Sequence, residues 1–215
     1  MSSKIEIWNY AISNIGVGKT VSSLTEKSNE AYACARFYDL AVGVVLGHYD
    51  WPFATKIADL VLTNESDPAG HWAYVYQYPV DCVRWHKIVN PNQRVCGFSQ
   101  TVPFRIFQGA STKVIMTDQE FAQGEYTARV ADESQFPDDF VVALSWLIAS
   151  QIAPRVTGGD TQNLVNRCLQ MYELTLSHAA AESMNESRSE APPESEFIRS
   201  RDGNYTWDWW GQRRW

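Results

Sequence analysis

The stretch Asn29-Glu-Ala-Tyr-Ala-Cys-Ala-Arg-Phe-Tyr38-Asp-Leu-Ala-Val-Gly-Val-Val-Leu-Gly-His-Tyr-Asp-Trp51-Pro-Phe-Ala54 decides the fold class. Ala31, Cys34, Ala35, Tyr38, Ala41, Val42, Val45 and Tyr49 recur at helical spacing and share one side of a helix. Asn29, Arg36 and Asp39 fall on the other side. The helix begins after Thr25 or Ser28, its small residues permit a closely packed neighbour, and Pro52 stops or kinks it just after Trp51. Such a helix needs others to cover it, and the two ends of the chain supply them.

Upstream, Ile5, Trp8, Ala11, Ile12 and Ile15 make the stripe of a short helix that Gly16 and Gly18 end. Beyond Phe136-Pro137, Asp138 or Asp139 is placed to cap a helix carrying Val141, Leu144, Leu147, Ile148 and Ile152, closed by Pro154 and Gly158-Gly159. Asp160 is placed to cap a last helix through Leu164, Val165, Cys168, Met171, Tyr172, Thr175 and Ala179, fraying over the polar residues 182–188. The short loop between the two predicts a helical hairpin.

Between these helices, from Trp72 to Val130, the period changes to short runs rich in Tyr, Val, Trp, Phe, Ile and Thr, broken by turn residues such as Asn90-Pro91-Asn92. Tyr74-Val75-Tyr76, Cys82-Val83-Arg84-Trp85, Phe104-Arg105-Ile106-Phe107, Lys113-Val114-Ile115-Met116 and Glu125-Tyr126-Thr127-Ala128-Arg129-Val130 read as strands of a small antiparallel sheet. The expected architecture is α+β: a helical bundle from residues 1–52 and 137–187, with a small antiparallel β domain, 53–136, inserted between Phe53 and Phe136. Residues 188–196, with two prolines and three glutamates, read as a linker. An extended C-terminal arm, 197–215, completes the chain.

Four of the nine tryptophans, Trp207, Trp209, Trp210 and Trp215, lie in the last nine residues. Burying them gains about as much as ordering the nineteen residues of the arm costs, so an existing surface must supply the other half of the contacts. Trp, Tyr and Arg dominate interface hot spots. The expected partner-binding residues are Phe197, Ile198, Arg199, Arg201, Tyr205, Trp207, Trp209, Trp210, Arg213, Arg214 and Trp215. With Asp202 and Asp208 the arm carries a net +2, opposite to the rest of a chain whose formal charge is −7, so the docking surface is expected to be acidic. Two other readings of the arm are a fold back onto its own domain and a membrane-interface anchor.

The charge of −7 argues against a protein that grips nucleic acid with its whole surface. Cys34, Cys82, Cys96 and Cys168 are far apart, without zinc-site spacing, and read as reduced thiols. The opening Met1-Ser2-Ser3-Lys4 is polar, the apolar run Leu40 to Leu46 is broken by Gly43 and Gly47, and a soluble, cytoplasmically made protein without membrane contact is expected. Gly16-Val17-Gly18-Lys19-Thr20 ends like a phosphate-binding Walker A loop. Its first glycine, however, is replaced by Ser13, and a helix rather than a strand leads in, so a helix C-cap is the preferred reading. His48, His71, His86 and His178 are scattered, and no nucleophile, metal or cofactor motif is present, so no catalytic residue, metal or cofactor is assigned.

Three segments carry a family resemblance. The first runs from Ile12-Ser-Asn-Ile-Gly16 and Leu24 through Ala31 and Tyr38-Asp39 to Trp51-Pro-Phe-Ala54. The second is Tyr76-Gln-Tyr-Pro-Val-Asp-Cys82 followed by Val83-Arg84, and the third joins Leu147-Ile-Ala149, Ile152-Ala153 and Thr157-Gly158. In this order they resemble phage tail tubular protein A and related tail accessory factors, the head-to-tail adaptors of short-tailed bacteriophages. The resemblance spans roughly residues 5–185; the Trp-rich end is not part of it.

The resemblance implies a dodecameric ring in the virion, beneath the portal, with helices packed between neighbours and C-terminal arms reaching toward the portal. A tail nozzle protein would follow below, and double-stranded DNA would pass through a central channel without specific binding. Tyr38, Asp39, Trp51, Phe53, Pro79 and Asp81 would then keep the fold. The competing classes are a nucleotide-dependent enzyme using Lys19 and Thr20, and a carbohydrate- or receptor-binding tail module using the tryptophans as platforms.

Overall fold

The structure, a computed structural model, describes residues 3–67, 69–89, 102–110, 112–158 and 161–186. Over these residues it is α+β, with four helices and two three-stranded antiparallel sheets. The arm, Cys96, Asp160 and the Asn90-Pro91-Asn92 turn lie outside the described residues.

Helix α1, Lys4–Asn14, starts in a capping box. The Glu6 N–H donates to Ser3 Oγ, and the Ser3 N–H donates to Glu6 Oε2 at 2.7 Å. It stops where Gly16 adopts φ +76°, which lets the Gly16 and Val17 N–H groups donate back to Ser13 and Ile12. Its buried face holds Ile7 as well as Trp8, Ala11 and Ile12, while Ile5 is only half-buried. Helix α2, Asn29–His48, is capped by Ser28, whose Oγ accepts from the Ala31 N–H. Its buried stripe includes Ala33 and Leu46, and Ala35 faces out.

Helix α3, Asp138–Val156, is the hub and contacts α1, α2 and α4. It is long and apolar enough to cross a membrane by length and composition, yet here the other helices cover most of it. No side chain caps it: the N-cap is Pro137, and Asp138 and Asp139 occupy the first turn, where the helix dipole favours their charge. Nor does Pro154 end it. Pro154, third from the end, costs a single i→i−4 hydrogen bond in the last turn, and Thr157 closes the helix by donating its N–H and Oγ1–H to the Ala153 carbonyl. Helix α4, Gln162–Glu186, returns along α3 and is helical over the part of the expected fray that is described, as far as Glu186.

Among the described residues the strands number six. β1 (Thr55–Asp59), β6 (Gln123–Ala128) and β3 (Cys82–Val89) form one sheet in that order, and β2 (Tyr74–Gln77), β5 (Lys113–Thr117) and β4 (Phe104–Gln108) the other. The single sheet expected from the sequence is thus two, joined by a strand that changes partners. After β1 leaves β6, the Gln77 N–H donates to Val61 and the Thr63 N–H to Val75, placing residues 61–63 beside β2. Trp85 fills the space between the sheets, stacked on Tyr126 with centroids 6.1 Å apart and edge-on to Phe104. A side chain at Gly124 would overlap the Trp85 ring, which is why that strand position has none.

Helices and sheets meet at an aromatic crossing. Trp51 donates its indole N–H to the Val45 carbonyl and sets its ring edge-on to Phe140, 5.1 Å between centroids. Phe53 and Phe136, on the chain entering and leaving the strands, lie 6.0 Å apart and both pack on Phe140. One cluster on α3 therefore pins both crossings.

Candidate functional site

The residues expected to bind a partner, Phe197 to Trp215, all lie outside the described residues. What the structure places are the chemistry-bearing loop, the motif residues and the apolar side chains left facing solvent.

The 16–20 loop has the geometry of a helix end. It follows the C-terminus of α1, the negative end of the dipole, whereas a phosphate loop precedes a helix N-terminus. Two of its N–H groups are spent on α1 carbonyls, and Lys19 Nζ donates to Glu30 Oε1 at 3.0 Å. The buried Glu30 carboxylate is held below its usual range by its own backbone N–H and then by Lys19. Lys19 thus ties the loop to the start of α2.

The motif residues are fasteners. Tyr38 donates to Glu133 Oε1 at 3.3 Å, and burial first, then that carboxylate, pushes its hydroxyl pKa up. Lys4 sits over the Tyr38 ring at 4.3 Å, and Asp39 pairs with Arg129 at 3.2 Å. Together they tie α2 to the N-terminus and to the chain leaving β6. Asp81 accepts from Lys56 Nζ at 2.7 Å and from the Tyr126 hydroxyl at 2.9 Å, bracing all three strands of the first sheet. Its carboxyl is held below the usual range, by Lys56 first. The Pro79 carbonyl accepts from the Cys82 N–H in the same turn.

Burial pushes the Cys34 thiol up to about 12, and raises Cys82 and Cys168 as well, so none of these is poised as a thiolate. His86 sits between Asp50, 3.2 Å from Nδ1, and Thr127, 2.8 Å from Nε2, at the joint of α2 with the sheet. No group of three or more His, Cys, Asp or Glu able to hold a metal ion occurs among the described residues.

Among the described residues, two regions, the outer helices and the far end of the sheets, carry large exposed apolar side chains. On α2, Tyr32, Leu40 and Val44 are exposed, and Gly43 beside them has open space where a side chain would be. On α4, Leu169 and Leu174 are exposed. Each helix packs on α3, and the two scarcely touch each other; Leu169 and Leu174, five residues and so about 140° apart around α4, lie on separate sides of that helix rather than in one stripe. The second surface is the far end of the sheets, with Ile57 on β1, Val61 and Leu62 on the chain that follows it, and Phe121, 82% exposed, in the β5–β6 turn. Sequence reasoning passed over all of them. A helical stripe that is apolar on two sides gives periodicity to both, and only packing shows which side is left over; Phe121, alone among Asp118, Gln119 and Glu120, was the readable signal.

Among known proteins, no family model and no curated entry matches the chain.

Proposed function

We propose that the chain is a structural head-to-tail adaptor of a short-tailed phage virion, a ring-forming subunit that joins the portal to the tail. The observation that carries this reading is that α2 and α4, which each pack on α3 and scarcely touch each other, both leave large apolar side chains exposed, Tyr32, Leu40 and Val44 on α2 and Leu174 on α4. A closed ring of identical subunits needs two different complementary faces on each copy. The α2 face, with Gly43 allowing close approach, packs on the Leu174 side of α4 in the next copy. The motif residues support the reading by acting as fasteners, which leaves them with no reacting group to hold.

The arm then docks on the portal through its tryptophans and arginines, and a nozzle protein follows below. The chain's −7 charge lets DNA slide through without adhering. Light scattering of the chain alone and with portal measures the assembly. Deleting 197–215 is expected to leave a folded subunit with unchanged helix content and to abolish portal docking; attachment by the shortened chain at full strength would refute the role of the arm.

A further inference from the structure

The β5–β6 turn is built to present Phe121. Tyr76, 3% exposed, reaches under the turn with its hydroxyl, which donates to the Gln119 carbonyl at 2.9 Å and accepts from the Ala122 N–H at 3.4 Å. That brace spans Phe121 and holds it at φ +52°, a conformation costly for a bulky side chain, with its ring in solvent. Beside it the Leu60 N–H donates to the Ala122 carbonyl at 2.9 Å, which sets the exposed Val61 and Leu62 next to the turn. At the turn lies an open concavity of about 720 Å³ lined by Leu60, Phe121 and Ala122, by Gln119 and Gln123, and by the carboxylates of Glu120 and of Asp59, one oxygen of which accepts from Gln123 Nε2 at 2.7 Å. Among the described residues its lining holds no Lys or Arg.

We infer that this concavity is the docking site of the chain's own residues 197–215 while no other partner is bound. The chemistry matches: four tryptophans and a net +2 meet Leu60 and Ala122, a presented phenylalanine and two carboxylates. The reach matches as well. Because α4 returns along α3 and is six residues longer, it ends near the start of α3, the end from which the strands project. Residues 187–196 span at most about 35 Å when extended, against a strand length of about 20 Å from that end to the turn. A tether this short supplies an effective concentration of about a millimolar, so the chain's own arm outcompetes that of another copy in dilute solution. Parked there, the tryptophans are shielded from unwanted association, and a true partner must displace them. The contact involves one chain only and does not rest on the adaptor reading.

The test replaces Phe121 by the photo-crosslinker benzoylphenylalanine in the full-length chain, with the same substitution at Tyr10, exposed on α1, as a control. Irradiation is expected to link position 121 to peptides from 197–215 within one chain, at a yield unchanged by dilution and lowered by Asp59→Lys with Glu120→Lys. Absence of such links, links only between copies whose yield falls on dilution, or equal yield from position 10 would overturn the inference.

Discussion

Asp81 shows how one side chain does several jobs. Its two oxygens take one hydrogen bond each, from Lys56 on β1 and Tyr126 on β6, while its backbone carbonyl accepts from the Arg129 N–H at 2.8 Å. An amide would keep the backbone contact and a weaker bond to Tyr126 and lose the charge. Asp81→Asn is therefore expected to lower Tm by about 1–3 °C at neutral pH, a modest figure because both ion-pair partners are half-exposed and screened. The sign with pH follows from a carboxyl held low in the folded chain. Its contribution is present above the unfolded carboxyl range near pH 4 and disappears as pH falls through the lowered folded value. Calorimetry from pH 7 to 3 should show the two melting curves converge at the acid end; a gap that widens on acidification would contradict this role.

At the scale of elements, the aromatic crossing joins two cores that otherwise share few contacts. One is the helical core around α3; the other is the small sheet core of Leu60, Tyr76, Ile88, Ile115 and Ala122. Trp51 is 2% exposed, so Trp51→Ala would leave a cavity against Phe140 and an unpaired Val45 carbonyl. It should cost about 3–5 kcal/mol in urea unfolding, more than a phenylalanine at the same place, which keeps most of the volume. The helices were legible because a 3.6-residue period survives in a single sequence. β1 was not, because Thr55-Lys-Ile-Ala-Asp is an edge strand with almost no buried side chain to set an alternation. The division into two sheets was hidden for a different reason: the register of residues 60–63 is fixed by Tyr76 and Ala122, far away in sequence. The 138–139 pair misled because a carboxylate suits the cap and the first turn equally, and Pro137 had already taken the cap.

For the whole molecule, the proposed ring makes a demand that simple stickiness does not, since in it the α2 and α4 faces would be used together but by different neighbours. Leu40 and Leu174 are 59% and 52% exposed, so a glutamate at either place disturbs little inside the subunit, and each single variant should unfold within about 0.5 kcal/mol of the wild type. A copy with Leu40→Glu has lost its α2 face and keeps its α4 face; a copy with Leu174→Glu has the reverse. Neither can close a ring alone, because every contact in the ring would include one damaged face. Mixed in equal amounts, they retain one sound contact, α4 of the first against α2 of the second, and growth must stop there. Light scattering at a concentration where the wild type assembles should show no rings from either variant and a dimer from the mixture. Rings from either single variant would place the interface elsewhere, and a mixture without dimers would show that α2 does not pack on α4.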